Sequence, residues 1–242
     1  MVNAIDQPGT DEADWRAWTG LRGLPAADFT GWSRVLVLAA HPDDEVLGVG
    51  GTIALLAAAG TRLRLVSVTD GEASHPGHPD PAALATRRAA ETASALRMLG
   101  AEATDVIRLG FPDTGVADRE NDLAALLPGL ATGCDAVLAP WDRDVHADHE
   151  AVGRAARRAS PLTFWYPVWT WHWARPGDAR VPWEQAVRVS LRPSVAARKR
   201  AAIRCFASQL EPRGPGGAPV LTPDTVAHFT RDHEVLLRAA GR

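Results

Sequence analysis

The chain is poor in cysteine and has no long apolar run. Its two cysteines, Cys134 and Cys205, show no spacing typical of a metal knuckle. A disulfide between them stays open, but free thiols in a reducing cytoplasm are the favoured interpretation. No apolar run approaches the roughly 20 residues that a membrane span needs. Residues 1–20 are acidic and lack the basic and apolar regions of a secretory signal, so we expect a cytoplasmic protein.

The chain also lacks a strong excess of either charge. It has 26 basic and 29 acidic residues, for a net charge of −3, and its arginines are scattered along the sequence. A nucleic-acid-binding protein would show a basic patch or stripe, so we expect no nucleic-acid partner. The apolar content of 46% and charged content of 23% are ordinary for a folded protein with a sizeable core.

What the sequence does contain is a regular alternation of strand-like and helix-like segments. The predicted strands span 33–40, 61–69, 104–110 and 134–140, and the predicted helices span 46–59, 81–101, 120–132 and 149–159. Strand, helix and parallel strand in succession form βαβ units. We therefore expect an α/β fold with a Rossmann-like, doubly wound, mostly parallel sheet.

The last third of the chain has a different character. Residues 161–173, PLTFWYPVWTWHW, predict an aromatic strand in which the alternate tryptophans of the Trp165–Trp173 segment share one face. Packing in the core or an interface is the favoured role of these rings, and a platform for sugar rings is the alternative. A strand at 186–192, a helix at 194–210 capped by Ser194 and, after a Pro/Gly-rich loop at 211–223, a short helix complete the prediction.

No obvious linker divides the chain. We expect residues 1–33 to form an N-terminal extension that packs on the body through Trp15, Trp18 and Trp32. Residues 34–242 are predicted to form a single domain with an elaborated C-terminal third.

The first predicted strand ends in a concentration of charge. The stretch AHPDDE (40–45) places His41, Asp43, Asp44 and Glu45 between this strand and the next helix. Open α/β sheets bind ligands at this edge. One interpretation is a helix cap with carboxylates at the positive end of the helix dipole. The other is a cation site, because like charges this close repel unless a cation or protons neutralise them.

A second cluster follows the fourth predicted strand. His146, Asp148 and His149 lie there, directly before a helix. A lone histidine in such a place is more often a capping or surface residue than a ligand. Because the carboxyl ends of parallel strands meet at one edge, we expect both clusters to lie close together. They then offer two histidines and a carboxylate for a metal, which suits zinc hydrolysis with one position open for water.

With these residues, the chain resembles the LmbE/PIG-L family of zinc-dependent N-deacetylases. Residues 40–45 read AHPDDE and residues 146–149 read HADH, and both match the main motifs of that family. Weaker blocks also match; they are TDGE at 69–72, Arg88 with Glu91, FPDTG at 111–115, and Lys199 with Ser208 and Gln209. The resemblance covers most of residues 34–240 and implies an LmbE-like domain.

The resemblance implies a metal centre and a base. His41, Asp44 and His149 match the zinc ligands. Asp43 matches the general base. The implied cofactor is Zn²⁺, with Fe²⁺ or another divalent ion as the alternative.

The resemblance implies supporting roles for four more residues. His146 matches the imidazole that assists the tetrahedral intermediate, with Asp148 orienting it. Arg88 and Asp113 match positions that hold sugar hydroxyls in mycothiol-pathway members. Glu45 has no matching chemical role, and we expect it to serve the helix dipole and hydrogen bonds behind the site.

The implied reaction is removal of an acetyl or other small acyl group from an amino sugar, N-acetylglucosaminyl above all, within a larger conjugate. A natural-product or thiol-pathway glycoside would be such a conjugate. Two other functions stay open: a two-histidine, one-carboxylate metal oxygenase, and a non-catalytic glycoconjugate-binding module that keeps the metal. The spare Asp43 and the His146–Asp148 pair favour hydrolysis. The sequence leaves the oligomeric state open, a homo-oligomer included.

A glycine-rich stretch, GVGGT at 48–52, is similar to a dinucleotide-binding loop. It lies inside the predicted helix rather than in the turn before it, so we reject a nicotinamide enzyme. We expect these glycines to allow a close approach between helix and strand.

Overall fold

The apolar segments of the sequence form one seven-stranded sheet in the computed structural model, which describes residues 4–160, 162–214 and 217–238. The strands are β1 (Arg34–Ala39), β2 (Arg62–Thr69), β3 (Asp105–Phe111), β4 (Ala136–Pro140), β5 (Thr163–Tyr166), β6 (Ala186–Ser190) and β7 (His233–Arg238). Parts of several predictions lie outside the described residues: 1–3 of the extension, Pro161, 215–216 of the Pro/Gly-rich loop, and 239–242 of the domain.

The strand order is β3-β2-β1-β4-β5-β7-β6. Strands β1 to β5 are parallel, whereas β7 runs antiparallel to both β5 and β6. The chain moves outward from β1 to β3 and then returns to the other side of β1 as β4. The order therefore reverses between β1 and β4, and ligands of such sheets bind outside the strand ends at this point.

Helices accompany the strands. They are α1 (Glu12–Ala17), α2 (Asp44–Ala58), α3 (Pro81–Leu99), α4 (Glu120–Leu130), α5 (Ala147–Ala159), α6 (Thr170–Trp173), α7 (Pro193–Ile203), α8 (Ala207–Leu210) and α9 (Pro223–Ala227). The predicted α/β fold with a doubly wound, mostly parallel sheet is confirmed, and the elements up to residue 159 differ from prediction by a few residues at their ends. None of the described helices has the length and apolar character that a membrane crossing requires.

The aromatic strand predicted for residues 161–173 is wrong in its second half. Strand β5 ends at Tyr166, and residues 170–173 form the helical turn α6. The tryptophans of this segment therefore do not share one face. Trp171 is buried with its ring centroid 5.1 Å from that of Trp15. The cause is tertiary: the buried Asp144 carboxylate accepts the first N–H groups of this turn.

The long helix predicted for residues 194–210 is also wrong, because it is two helices. Helix α7 begins at Pro193, whose fixed φ suits a first helical turn, and Ser194 lies inside this turn without capping it. The helix is interrupted at Phe206, which is fully buried in a non-helical conformation (φ −83°, ψ 58°). Strand β7, which inserts between β5 and β6, was not predicted.

Helix α2 is broken inside the GVGGT stretch. Val49 has non-helical angles (φ −135°, ψ 20°), so the second half of the helix begins with free N–H groups. The buried Glu234 carboxylate accepts two of them, from Gly51 at 2.6 Å and from Thr52 at 2.8 Å. The buried Lys199 ammonium balances this carboxylate at 2.7 Å.

The N-terminal residues pack against the body. Trp15 is fully buried and its ring N–H donates to the Trp171 carbonyl at 2.8 Å, while Trp18 and Trp32 are half-buried against the core. All three tryptophans therefore contact the body, and the division of the chain at residue 33 stays a prediction. Cys134 and Cys205 are both unpaired.

Candidate active site

The two charged motifs meet at the point where the strand order reverses. Strands β1 and β4 are hydrogen-bonded neighbours, and each leads at its carboxyl end into one motif. The ring centroids of His41, His146 and His149 lie 4.7 to 5.3 Å from one another. Two motifs that are about a hundred residues apart in the chain thus form one cluster, as the sequence predicts.

The Asp44 carboxylate lies between two of these imidazoles. Its Oδ1 is 3.2 Å from Nε2 of His149, and its Oδ2 is 3.6 Å from Nδ1 of His41. Oδ2 also accepts the backbone N–H of His41 at 2.8 Å. Burial would raise the pKa of Asp44, but the two imidazoles hold it well below its usual range. The carboxylate is therefore charged and faces both rings.

His149 is held from behind by a residue to which the sequence assigned no role. Its Nδ1 lies 2.8 Å from Oδ2 of Asp144, a fully buried carboxylate. Asp144 belongs to the acidic cluster after β4, but nothing in the spacing distinguishes it from its neighbours. Burial alone would lower the pKa of His149, and the carboxylates of Asp44 and Asp144 raise it to about 9. A carboxylate behind an imidazole is the usual support of a metal-ligating histidine.

The outer nitrogen of His149 provides the test of whether a metal fits. Its Nε2 is buried and has no hydrogen-bond partner in the described part of the chain, although Asp44 is 3.2 Å away. A buried nitrogen facing a carboxylate without a hydrogen bond is an arrangement that a cation between them would satisfy. The residues present therefore fit a divalent metal ion.

Among the residues that the structure describes, two groups of three side chains have ligand atoms within 4.8 Å of one another. One group is His41, His146 and His149, and the other is His41, Asp113 and Asp148. His41 belongs to both because its Nε2 lies 3.1 Å from Asp148 and 3.2 Å from Asp113. Burial would lower the pKa of His41, but these carboxylates and Asp44 raise it well above its ordinary value. Imidazole and carboxylate donors suit Zn²⁺ and Fe²⁺ alike.

Asp43 stands apart from these contacts and is held in a strained conformation. Its φ is 137°, in a region that favours glycine, and its backbone N–H donates to Oε2 of Glu45 at 3.1 Å. The Arg88 guanidinium lies 3.3 Å from its carboxylate. Burial raises the pKa of Asp43 to about 7, against the opposing charge of Arg88. A carboxylate with this pKa is suited to general base catalysis near neutral pH.

Glu45 supports the site from behind. The side chain is fully buried, and burial raises its pKa to about 8. Its hydrogen bond with the Asp43 backbone confirms the expected role behind the site and stabilises the strained residue. The predicted interaction of Glu45 with the helix dipole stays a prediction.

His146 and Asp148 are both at the site, but their contacts differ from the expected pairing. Nδ1 of His146 accepts the backbone N–H of Asp148 at 3.3 Å, as the cap of helix α5. The Asp148 carboxylate instead contacts His41 and accepts the N–H groups of Thr114 and Val116. Asp148 therefore orients His146 through its backbone, and its side chain orients His41.

Arg88 and Asp113 line the same cavity as His41, Asp44 and His149, a space of about 140 Å³. Arg88 is only 2% exposed, and its guanidinium already donates to the Gly71 and Pro42 carbonyls at 2.9 and 2.6 Å. Asp113 contacts His41 and accepts the Ala73 N–H. Both residues thus build the walls of the site, and their contact with sugar hydroxyls stays a prediction.

A family model matches the part of the chain that builds this site. Residues 36–160, just over half of the chain, match the PIG-L family, described as GlcNAc-PI de-N-acetylase. The chain belongs to this family. Within the PIG-L family, the relatives include a 1D-myo-inositol 2-acetamido-2-deoxy-alpha-D-glucopyranoside deacetylase of Kineococcus radiotolerans. It is 39% identical over 109 residues, which are 43% of this chain and 29% of the relative. The matched segments span 29% to 65% of the first three curated relatives.

Solved structures share the fold. The zinc-inhibited form of teicoplanin deacetylase Orf2 has a TM-score of 0.64 at 18% identity, and the match covers 86% of this chain and 98% of that one. GalB of Pseudomonas putida KT2440, a 4-carboxy-2-hydroxymuconate hydratase, has a TM-score of 0.61 at 18% identity, with 87% and 97% covered. The same fold therefore carries different reactions, so the reaction of this PIG-L member has to be argued from its site.

Proposed function

We propose that the protein is a zinc-dependent hydrolase that removes an N-acetyl group from an N-acetylglucosaminyl unit of a larger conjugate. The observation that carries the proposal is that two adjacent carboxylates, Asp43 and Asp44, differ in their contacts and in their pKa. Asp44 faces His41 and His149, whereas the neighbouring Asp43 contacts Arg88 instead and has a pKa of about 7. Metal ligands and a separate base are what hydrolysis of an amide needs.

His41, Asp44 and His149 are the proposed metal ligands. Asp44 contacts both imidazoles, and Asp144 fixes the ring of His149 from behind. When bound, a divalent ion would polarise the amide carbonyl and lower the pKa of water. The orphaned Nε2 of His149 supports the assignment.

Asp43 and His146 are the proposed proton-handling groups. Asp43 would accept the proton of the attacking water, because its pKa is about 7 and its side chain lines the cavity, whereas Glu45, with a pKa of about 8, lies behind it. Nδ1 of His146 accepts a backbone hydrogen bond, so a neutral ring carries its proton on Nε2. Burial and the other two imidazoles lower the pKa of His146 to about 3, which keeps this ring neutral. Nε2–H can then donate to the developing oxyanion.

The surroundings of the site support a substrate larger than one sugar. A second cavity of about 510 Å³ includes His75, Arg87 and Ser208 in its wall. Each is the chain neighbour of a residue that lines the smaller cavity: Ser74, Arg88 and Gln209, respectively. The two cavities therefore adjoin the same chain segments, although no residue lines both, and the larger one has room for an aglycone. The predicted aromatic platform contributes Trp169 alone to the small cavity.

The test is an assay of the purified protein after removal of its metal and reloading with Zn²⁺. The substrates are N-acetylglucosaminyl-inositol, a glycopeptide with an N-acylglucosaminyl group, and free N-acetylglucosamine. We expect release of free amine and acetate in equal amounts, faster from a conjugate than from the free sugar, and loss of activity without metal. Dioxygen uptake without acetate would instead indicate an oxygenase, and tight binding without turnover would indicate a binding module.

A further inference from the structure

A separate cavity of about 730 Å³ lies between the N-terminal extension and the C-terminal third of the chain. Its wall combines α1 and the turn after it, β6, α7 and the residues that enter β7. It shares no lining residue with the cavity of the candidate active site. Five arginines line it: Arg16, Arg22, Arg188, Arg200 and Arg231.

Two buried nitrogens in this wall have no partner. Nε of Arg188 and Nε2 of His233 are buried and make no hydrogen bond within the described residues. The other nitrogens of Arg188 donate hydrogen bonds, Nη1 to Oγ of Ser190 at 2.9 Å and Nη2 to Oδ1 of Asp232 at 3.4 Å. Nδ1 of His233 is hydrogen-bonded to Oδ1 of Asp232 at 2.8 Å. Unpartnered buried polar atoms are rare in native proteins, and two in one wall indicate a missing partner.

The positive charges of the wall exceed the negative charges that contact them. Glu12 pairs with Arg16 and Arg231, and Asp232 pairs with Arg188. These two carboxylates do not neutralise all the cationic side chains of the wall.

Arg22 and Arg200 make no ion pair in the described part of the chain. Burial lowers the pKa of His233, and Arg188 and Arg231 lower it further against the opposing charge of Asp232. The cavity is therefore electropositive although the whole chain has a net charge of −3.

We propose that this cavity binds a phosphate group, with Arg22, Arg188, Arg200 and His233 as its ligands. The guanidinium fork matches the oxygens of phosphate in geometry as well as charge. The Arg188 side chain is 24% exposed, and a small shift of it would bring the buried Nε to a phosphate oxygen. The cavity is larger than one phosphate ion, so it accommodates a phosphate ester of a small molecule, with the half-buried Trp18 ring beside the ester group. The proposal does not depend on the deacetylase assignment, because no residue is shared.

The experiment is isothermal titration calorimetry of the zinc-loaded 242-residue chain with inorganic phosphate and with glycerol 3-phosphate. Ionic strength is held constant with chloride. We expect saturable binding of one anion per chain, and tighter binding of the ester if the natural ligand is a phosphorylated molecule rather than free phosphate. Absence of saturable binding by either anion would overturn the proposal.

Variants locate the binding. Arg22→Gln and Arg200→Gln remove guanidinium groups that make no ion pair in the described structure, so the fold should survive, and each should weaken binding about tenfold or more. Arg198→Gln is the matched control, because Arg198 is exposed on the same helix as Arg200 and lies outside the cavity. The control should leave the dissociation constant unchanged. Equal weakening in the control, or full binding in both test variants, would show that phosphate binds elsewhere.

Discussion

The Asp144 carboxylate lies 2.8 Å from Nδ1 of His149 and joins the candidate metal site to the aromatic segment. Its other oxygen, Oδ1, accepts the backbone N–H groups of Val168 at 3.2 Å and of Thr170 at 2.8 Å. The segment was expected to act through its rings. The structure shows that its backbone supports the carboxylate that supports His149.

Replacing Asp144 should therefore weaken metal binding without removing a ligand. Asp144→Asn keeps the size of the side chain but cannot accept all of the present N–H donors. We expect zinc affinity to fall about 10- to 100-fold, the usual effect of losing a residue that orients a metal-binding histidine. Competition with a chromophoric chelator measures it. Asp142→Asn is the control, since Asp142 pairs instead with Arg157 at 3.7 Å. Equal affinity in all three proteins would contradict the role of Asp144.

Asp43→Asn should separate chemistry from metal binding. The amide has the shape of the carboxylate but cannot accept a proton, so we expect turnover to fall about 10²- to 10⁴-fold. Zinc content, measured by elemental analysis, should stay at the wild-type level. His149→Ala is the contrasting variant and should lose the metal itself. Wild-type turnover by the Asn variant would remove Asp43 from the role of base.

The sequence predicted the site well because parallel strands determine where it lies. The motifs follow β1 and β4, and neighbouring parallel strands bring their carboxyl ends together whatever the rest of the chain does. The contact of Asp144 with His149 was missed although the two are only five residues apart, because nothing in the spacing distinguishes Asp144 from the acidic residues around it. Its contacts with Val168 and Thr170 join separate elements of the fold. The same holds for Glu234, which caps Gly51 and Thr52 across 183 and 182 residues. Local patterns carry no information about such pairs.

The aromatic segment shows how a local pattern can mislead. Alternating tryptophans are typical of a strand, and the segment does begin with strand β5. The chain then turns because Asp144 offers acceptors for the N–H groups of a helical turn, at Trp169 and Thr170. Tertiary hydrogen bonding thus decides the conformation against the sequence pattern.

The GVGGT glycines were predicted to allow close approach, and Gly48 provides the sharpest test. A Cβ at Gly48 would overlap the ring of Tyr166 on β5. Gly48→Ala should therefore destabilise the protein by about 1–3 kcal/mol through overpacking, despite the better helix propensity of alanine. Urea denaturation measures the change. Gly129→Ala is the matched control, because Gly129 is helical with nothing within 4 Å of its Cβ. It should be neutral or stabilising, by up to about 1 kcal/mol.

Glu12 should make the attachment of the N-terminal extension depend on pH. Burial would raise the pKa of Glu12, but hydrogen bonds from His228 and Arg231 lower it from 4.5 to about 2. A carboxylate with a lowered pKa stabilises the fold fully above its unfolded value. That stabilisation is lost as the pH falls toward 2. Glu12→Gln should cost on the order of 3 kcal/mol at neutral pH, because it leaves a buried arginine without its counter-charge.

The difference in unfolding free energy between wild type and Glu12→Gln should consequently shrink on acidification. Urea denaturation from about pH 7 to about pH 3 follows it, with the loss beginning below the ordinary glutamate pKa of 4.5. Asp14→Asn on the same helix removes an exposed carboxylate and should change the stability by less than about 0.5 kcal/mol throughout. A Glu12→Gln difference that stays constant with pH would mean that the buried charge pair does not hold the extension on the body.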